Sequence, residues 1–387
     1  MTTRILFVIT GLQTGGAEIM LRSLLEHLDR AYFLGEVVSL REPGAVGRQM
    51  QGMGVTVHTL DMSAQRPSPA ALLKLAGILR QFRPHVVQTW MYHADLFGSL
   101  AALFAGRPPL VWGIHHAGED LQALKPATRR IIQLNARLSQ RMPERIVCCS
   151  MATLETHAQM GYARSKMVFI PNGFDLQRFT PDAQAAARFR QEIGVAAETP
   201  LVGICARFHP VKDHRNFLAA AQIIAAQMPQ ARFVLCGEGI TPENPALQAW
   251  LAEYELHGRC TLLGRRADMP ALLPALDLYV SASRSEAFPV IIGEAMACGV
   301  PCVVTRVGDS ARIVGETGRA VPAQSPGALA AACLEMLALP PAERQALGRA
   351  ARARIEAEYN ITAVARQYAE LYTAVARSRL PAQPLTG

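Results

Sequence analysis

The sequence predicts an α/β protein built from two doubly wound parallel-sheet domains, and three observations carry that prediction. At 387 residues the chain exceeds what one hydrophobic core ordinarily serves, so two domains are expected. Half of its residues are hydrophobic and 18% are charged, a balance that suits packed cores and excludes a disordered chain. Short β-branched runs alternate with longer segments of helical spacing, the pattern of parallel strands connected by helices.

In the first half the strand-like runs are RILFVI, GEVVSL, VTVHTL, HVVQTW, LVWGIH and RIVCCS, separated by helical segments such as GAEIMLRSLLEHL and PAALLKLAGILRQF. The turn-rich stretch IPNGFDLQRFTP at 170–181 reads as a linker. Beyond it the pattern restarts with LVGICARF, RFVLCGEG, CTLLGR, LDLYVSAS and PCVVTRVG. An N-terminal domain over residues 1–175 and a C-terminal domain over 176–387 follow. Such sheets bind ligands at the carboxyl ends of their strands, so two of them facing each other would make a cleft. NITAVARQYAELYTAVARSRL has helical spacing and is expected, as the terminal helix of the C-terminal domain, to pack near the domain boundary; the tail PAQPLTG is expected to fray.

The longest apolar runs, such as ILFVI at 5–9, fall well short of the roughly 18 residues of a membrane span. That run has no small-residue cleavage site after it and reads as the first strand rather than a signal peptide. The eight cysteines form no C-x-x-C pair and no Cys/His cluster of zinc spacing, which points to a reducing cytoplasm and away from a metal site. The net charge of +8 either invites an anionic partner, such as a membrane surface or a phosphorylated substrate, or reflects an Arg-rich composition. Nucleic acid is not expected, because no basic stretch interleaves with aromatics. Residues 125–145 read as a basic amphipathic helix with Ile131, Leu134, Leu138 and Met142 on one stripe and Arg129, Arg130, Arg137 and Arg141 away from it. That helix either packs on the core with a solvated basic face or docks on an anionic membrane.

Four stretches could carry chemistry. TGLQTGGAE sets Gly11, Gly15 and Gly16 between the first strand and the first helix, where a backbone can approach a ligand and a helix N-terminus offers free N–H groups; a tight turn explains it equally. LVWGIHHAG ends a strand with His115 and His116, placed for hydrogen bonding or proton transfer to a substrate. CARFHPVKDH ends another with Arg207 and, five residues on, Lys212, two cations suited to a diphosphate. Arg265 and Arg266 repeat that arrangement one strand further on.

The fourth stretch is SEAFPVIIGEAMACGVP. Proline is best tolerated in the first turn of a helix, so a helix starts near Pro289 and leaves Glu286 on the loop before it. Glu294 then falls inside a helix that is apolar all round, where a carboxylate needs a partner. Either a structural hydrogen bond satisfies it, or both glutamates address a polyhydroxylated ligand.

With the Gly-rich loop, PNGFD at the linker, Arg207 with Lys212, and Glu286-x7-Glu294 followed by ACGVP in this order, the chain resembles glycosyltransferase family 4, retaining enzymes of the GT-B architecture, over nearly its whole length. The resemblance implies transfer of a sugar from a nucleotide-diphospho-sugar donor to a glycan or lipid-linked acceptor, with retention of configuration and no metal. By position, Arg207 and Lys212 would hold the diphosphate, Glu286 the donor-sugar hydroxyls and Glu294 the ribose. Gly15 and Gly16 would let backbone N–H groups approach the donor, Arg265 would join the donor site, and His115, or His116 beside it, would contact the reacting sugar. The chain departs from the family pattern at Ala206, at Asp213 and His214, and in VGDSARIVGE; it has no D-x-D motif. A nucleotide-sugar epimerase of related architecture and a non-catalytic, membrane-associated nucleotide-sugar-binding protein are the alternatives. The setting expected from the resemblance is cytoplasmic, with peripheral attachment to the inner face of the cell membrane.

Overall fold

The computed structural model describes residues 2–62, 68–118 and 124–378, and the tail expected to fray lies outside them. The chain divides into two compact units, Met1–Gly173 with Ile361–Gly387, and Phe174–Asn360.

The first unit runs β1 (Thr3–Ile9), α1 (Gly16–His27), β2 (Phe33–Ser39), α2 (Gly44–Gly52), β3 (Val57–Thr59), α3 (Pro69–Phe82), β4 (Val86–Trp90), α4 (Tyr92–Leu103), β5 (Leu110–Ile114), α5 (Pro126–Ser139), β6 (Arg145–Cys148), α6 (Met151–Gln159) and β7 (Met167–Phe169). The second runs α7 (Ala183–Glu192), β8 (Leu201–Cys205), α8 (His214–Gln227), β9 (Arg232–Cys236), α9 (Pro245–Glu253), β10 (Cys260–Leu262), α10 (Met269–Leu272), β11 (Leu278–Ser281), α11 (Val290–Ala297), β12 (Cys302–Thr305), α12 (Ser310–Val314), β13 (Arg319–Val321), α13 (Pro326–Ala338) and α14 (Pro341–Glu358). The last helix, α15 (Ile361–Arg377), returns to the first unit.

Each unit is an all-parallel sheet, ordered β3-β2-β1-β4-β5-β6-β7 in the first and β10-β9-β8-β11-β12-β13 in the second. Strands buried on both faces read as continuous apolar runs, which is why β1, β4, β5 and β8 were legible. Two three-residue strands, β7 and β13, are absent from the expected set. They lie at sheet edges, and β7 carries only MVF, too short for a strand pattern to register.

The terminal helix corrects the expected organisation. Its stripe of Ile361, Val364, Ala365, Tyr368, Tyr372 and Val375 is buried with Ile5, Phe7, Leu21 and Leu24 in the core of the first unit. Its sequence position put it with the C-terminal domain, but its apolar face completes the layer of α1. On α5 the fully buried residues are Ile132, Asn135, Ala136 and Ser139; of the expected apolar stripe Ile131, Leu138 and Met142 are half-buried against the core, and Leu134 is exposed. Asn135 and Ser139 are inside because each has a partner: Asn135 Nδ2 donates to Tyr92 O at 2.9 Å and Ser139 Oγ accepts from Ala163 N–H at 2.8 Å. Hydrophobicity alone locates the core-facing side of α5 but not the two polar residues it includes.

Candidate active site

Each sheet has one place where successive connections depart in opposite directions, β1/β4 in the first unit and β8/β11 in the second. Crevices at the carboxyl ends of strands beside such a point are where doubly wound sheets bind ligands. Gly15 and Gly16 follow β1, Arg207 and Lys212 follow β8 and Glu286 follows β11, whereas His115 follows β5 and Arg265 the edge strand β10.

In the second unit, Lys212 follows β8 and Glu286 follows β11, and the Lys212 ammonium is ion-paired to the Glu286 carboxylate. The same Glu286 Oε1 accepts from Ser283 Oγ at 2.7 Å. Both charged side chains are mostly withdrawn from solvent, whereas Arg207 is exposed beside them. The loops are locked together: Arg284 N–H donates to Val211 O at 2.7 Å, and the Arg284 guanidinium grips both oxygens of buried Asp213 at 2.7 and 2.9 Å. Asp213 sits at φ +48° as N-cap of α8. This is a left-handed position where aspartate is among the few non-glycine residues readily accepted, so Asp213 performs the turn for which the family pattern has glycine and adds an ion pair.

The neighbouring strand ends are joined by main-chain hydrogen bonds. Ala206 N–H donates to Cys236 O at 2.8 Å, Phe208 N–H to Glu238 O at 2.7 Å, and Gly237 N–H to Gly264 O at 2.8 Å. A Cβ on Gly237, at φ +148°, would collide with Ala206 O, so only glycine lets these strand ends converge. Arg265 follows Gly264 and is exposed, whereas Arg266 is committed to Glu192 and Asp268 at 2.6 Å each. VGDSARIVGE also reaches this site: Gly308, at φ +50°, lies so close that a Cβ would strike Glu286 O.

Glu294 lies in α11, which begins at Val290 with Pro289 as its N-cap, as the placement of proline implied. Its side chain is half-buried between buried residues of the same helix. Apolar surroundings push its pKa up to about 7, and the positive charge of Arg178 opposes the shift. A carboxylate held this way gains from any hydroxyl that can donate to it. The helix fits because residue 293 is glycine; a Cβ there would overlap the Phe174 ring.

In the first unit, Gly15 is the extended N-cap of α1 and Gly16 opens the helix, with no side chain capping it. The Glu18 carboxylate folds back over this N-terminus, where a Cβ on Gly15 would collide with it. His115 ends β5 and stacks on Trp90, ring centroids 4.2 Å apart and 11° from parallel. Both of its ring nitrogens are enclosed without a partner, and burial lowers its pKa to about 3, so the ring is neutral. Thr10 Oγ1, Trp90 Nε1 and Asn172 Oδ1, also near strand ends, are likewise buried and unpartnered. His116 Nδ1 accepts from Gly118 N–H at 3.1 Å, which assigns the ring's proton to Nε2. Behind it, Tyr92 OH and His157 Nε2 are 2.7 Å apart, and His157 Nδ1 is 2.7 Å from Thr153 O, so the neutral His157 donates to the carbonyl and accepts from the phenol.

Ser283, Arg178 and Trp90 escaped sequence reasoning. Ser283-x-x-Glu286 has capping-box spacing, yet no helix begins there and the hydroxyl orients the carboxylate instead. Arg178 lay inside a stretch taken for a linker, and Trp90 closed a strand whose apolar run explained it as core.

Residues 14–178 match the sequence model of Glycosyltransferase Family 4, and residues 199–338 that of Glycosyl transferases group 1. EpsF of Bacillus subtilis (strain 168), which carries the name of a glycosyltransferase, is 27% identical over 314 residues, 78% of this chain and 79% of its own. The Escherichia coli UDP-Gal:alpha-D-GlcNAc-diphosphoundecaprenol alpha-1,3-galactosyltransferase is 27% identical over 241 residues, 61% of this chain and 62% of its own. The crystal structure of Anabaena Alr3699/HepE in complex with UDP-glucose has the same fold, with a TM-score of 0.83 over 96% of this chain and 99% of that one at 23% identity. With two family models covering both units, and this fold, the chain belongs to the family 4 glycosyltransferases of GT-B architecture and is a glycosyltransferase.

Proposed function

We propose that the enzyme transfers a sugar from a nucleotide-diphospho-sugar to an acceptor hydroxyl with retention of anomeric configuration, in the synthesis of a surface polysaccharide or glycolipid. The observation that carries this reading is the meeting of Lys212 and Glu286 at the switch point of the second sheet, beside exposed Arg207. A cation pair suits the diphosphate leaving group, and the carboxylate suits a neighbouring sugar. In this reading Arg207 and Lys212 stabilise charge on the diphosphate as the glycosidic bond breaks, with Arg265 at the rim. The two cations take the part a metal would otherwise play, so no metal cofactor is required.

On binding, the diphosphate competes with Glu286 for Lys212 and frees the carboxylate to hold donor-sugar hydroxyls. Glu286 positions and stabilises the oxocarbenium-like transition state; it is not assigned as a nucleophile. Glu294 accepts from ribose hydroxyls. Gly15 and Gly16 give the donor close access to backbone N–H groups, which requires Glu18 to swing away, and neutral His115 or His116 contacts the reacting sugar. The Escherichia coli relative, named for a diphosphoundecaprenol-linked acceptor, supports a lipid-linked acceptor here. A cytoplasmic enzyme working at the anionic inner face of the membrane fits that acceptor, and no described helix is long and apolar enough to cross a membrane.

The test is nucleotide release from a panel of nucleotide-sugars, each with and without a membrane-lipid extract, with Lys212→Ala as control. Release from one donor that needs the extract and disappears in the variant is expected. Conversion of donor without acceptor would favour an epimerase, and binding without turnover a non-catalytic protein.

A further inference from the structure

Among the described residues seven large apolar side chains are exposed, and five of them sit on three neighbouring helices of the first unit, α3, α4 and α5, and the turn after α4. On α4, the middle helix, the outward ridge is Leu96, Leu100 and Leu103, spaced as one line along a helix. Leu96 is half-buried, the other two are exposed, and Phe104 continues the line with 53% of its surface open. A surface helix ordinarily turns its polar side outward. This one turns leucines.

The exposed charges on these helices have one sign, and Asp61 of the loop before α3 lies near Lys74. Lys74 and Arg80 are exposed on α3, Arg130 and Arg137 on α5, and Leu73 and Leu134 stand among them. The three helices contain a single carboxylate, Asp95, which is fully buried, with Thr89 Oγ1 donating to it at 2.5 Å. Arg80 is tied to the ridge itself, its guanidinium donating to Phe104 O at 2.6 and 3.0 Å. The face is thus an apolar strip edged by cations, with no acidic side chain of these helices to offset them.

We propose that this α3–α4–α5 face docks on an anionic lipid bilayer, the leucine ridge and Phe104 entering the headgroup–acyl boundary and the flanking lysines and arginines contacting phosphate headgroups. Charge complementarity selects the occupant. A second copy meeting this face in isologous fashion sets arginines against arginines, which like-charge repulsion penalises. A single-stranded nucleic acid finds one aromatic, Phe104, instead of a stacking series. The assignment differs from docking by one amphipathic helix: Ile131, Leu138 and Met142 of α5 pack on the core, only Leu134 of that stripe is exposed, and the surface spans three helices. It extends the reading of a membrane-borne acceptor, on which its biological sense rests.

The test is flotation of the full-length protein with vesicles of phosphatidylethanolamine and phosphatidylglycerol at 7:3, against pure phosphatidylcholine, with neither donor nor acceptor present. Binding to the anionic vesicles is expected, weakened by 0.5 M NaCl. Leu103→Glu with Phe104→Glu should reduce it at least tenfold, and Arg130→Glu with Arg137→Glu comparably, since each cation near an anionic surface is worth about fivefold in partitioning. Unchanged melting temperatures exclude misfolding, and the two variant pairs check each other. Equal flotation of wild type and variants, absence of binding by the wild type, or a dimer in sedimentation velocity that the same variants dissociate would each overturn the proposal. Nucleotide release with a detergent-solubilised lipid extract separates the two ideas: the variants should retain it, and a protein that floats yet releases nothing fails as a transferase while keeping its docking face.

Discussion

Lys212 and Glu286, 74 residues apart in the chain, form an ion pair in the second sheet's switch point, with Ser283 donating to the same carboxylate oxygen. The pair holds the glutamate in place while Arg207 stays open to solvent. A lysine committed to a carboxylate is a poor anion site until an anion displaces the carboxylate, so in the proposed reading arrival of the diphosphate would release Glu286.

Lys212→Ala should therefore cut turnover by about 10²–10³, the usual cost of deleting one preorganised charge-stabilising group. Stability should fall by about 1–3 kcal/mol, because the change leaves the largely desolvated Glu286 carboxylate with Ser283 but without its counter-charge. Steady-state kinetics beside a melting curve decide it; near-wild-type turnover removes the diphosphate role.

Glu294→Gln should stabilise the second unit at neutral pH. The folded pKa of about 7 stands above the ordinary 4.5, so the folded state binds a proton that the unfolded chain has released, and stability is lost as pH rises from 4.5 through 7. The amide avoids that loss. Its advantage should be absent at pH 4.5 and approach about 3 kcal/mol above pH 7, with nucleotide binding weakened at every pH. Melting of both proteins from pH 4.5 to 8 tests this, and a constant offset contradicts it.

Acid should weaken the first unit through its buried histidines. His115 and His157 are held neutral by burial, with pKa values near 3 and 4. Between pH 6.5 and 4 the unfolded chain takes up their protons and the folded unit does not, so stability falls by up to about 1.4 kcal/mol per pH unit for each. Buried Asp95 in the same unit, its carboxyl raised well above the ordinary range by burial, acts oppositely, so the histidine contribution is isolated by a variant. Melting of wild type and His157→Gln at pH 7 and pH 5 should show the wild type losing more stability than the variant; equal losses would refute the assignment.

Turnover should survive chelation. If Arg207 and Lys212 neutralise the diphosphate, excess EDTA changes kcat by less than about twofold. Complete loss, restored by a divalent cation, counts against that division of labour.

Gly293→Ala should destabilise by about 1–3 kcal/mol, the cost of forcing a methyl into a packed interior, because the Phe174 ring occupies the space the new Cβ needs. Phe174→Leu in the same chain should recover part of the loss in the melting temperature; no rescue means that the ring is not the obstacle.

The buried strands could be read directly because parallel strands covered on both faces are apolar without interruption, as in ILFVI and LVGIC. Proline supplied a boundary that spacing could not: Pro289 fixed where α11 begins and so which side of it each glutamate occupies. What escaped were relationships between distant segments. Nothing local to NITAVARQYAEL says which sheet its apolar face covers, and nothing local to Asn135 or Ser139 announces the partners that allow them inside. The joining of Lys212 to Glu286 belongs to the same class, since only the strand order β8-β11 makes their loops neighbours.

The return of α15 to the first sheet has a consequence for biosynthesis. The ribosome delivers Met1–Gly173 before the second unit, yet Tyr368, Tyr372 and Val375, which help seal that core, emerge only after it. Until they arrive, the side of β1 and β4 that α15 covers lacks its lid. The second unit, Phe174–Asn360, is contiguous and can complete itself without waiting. The half made first is thus the half finished last, and a chain stopped after Asn360 loses the closure of its beginning rather than a piece of its end.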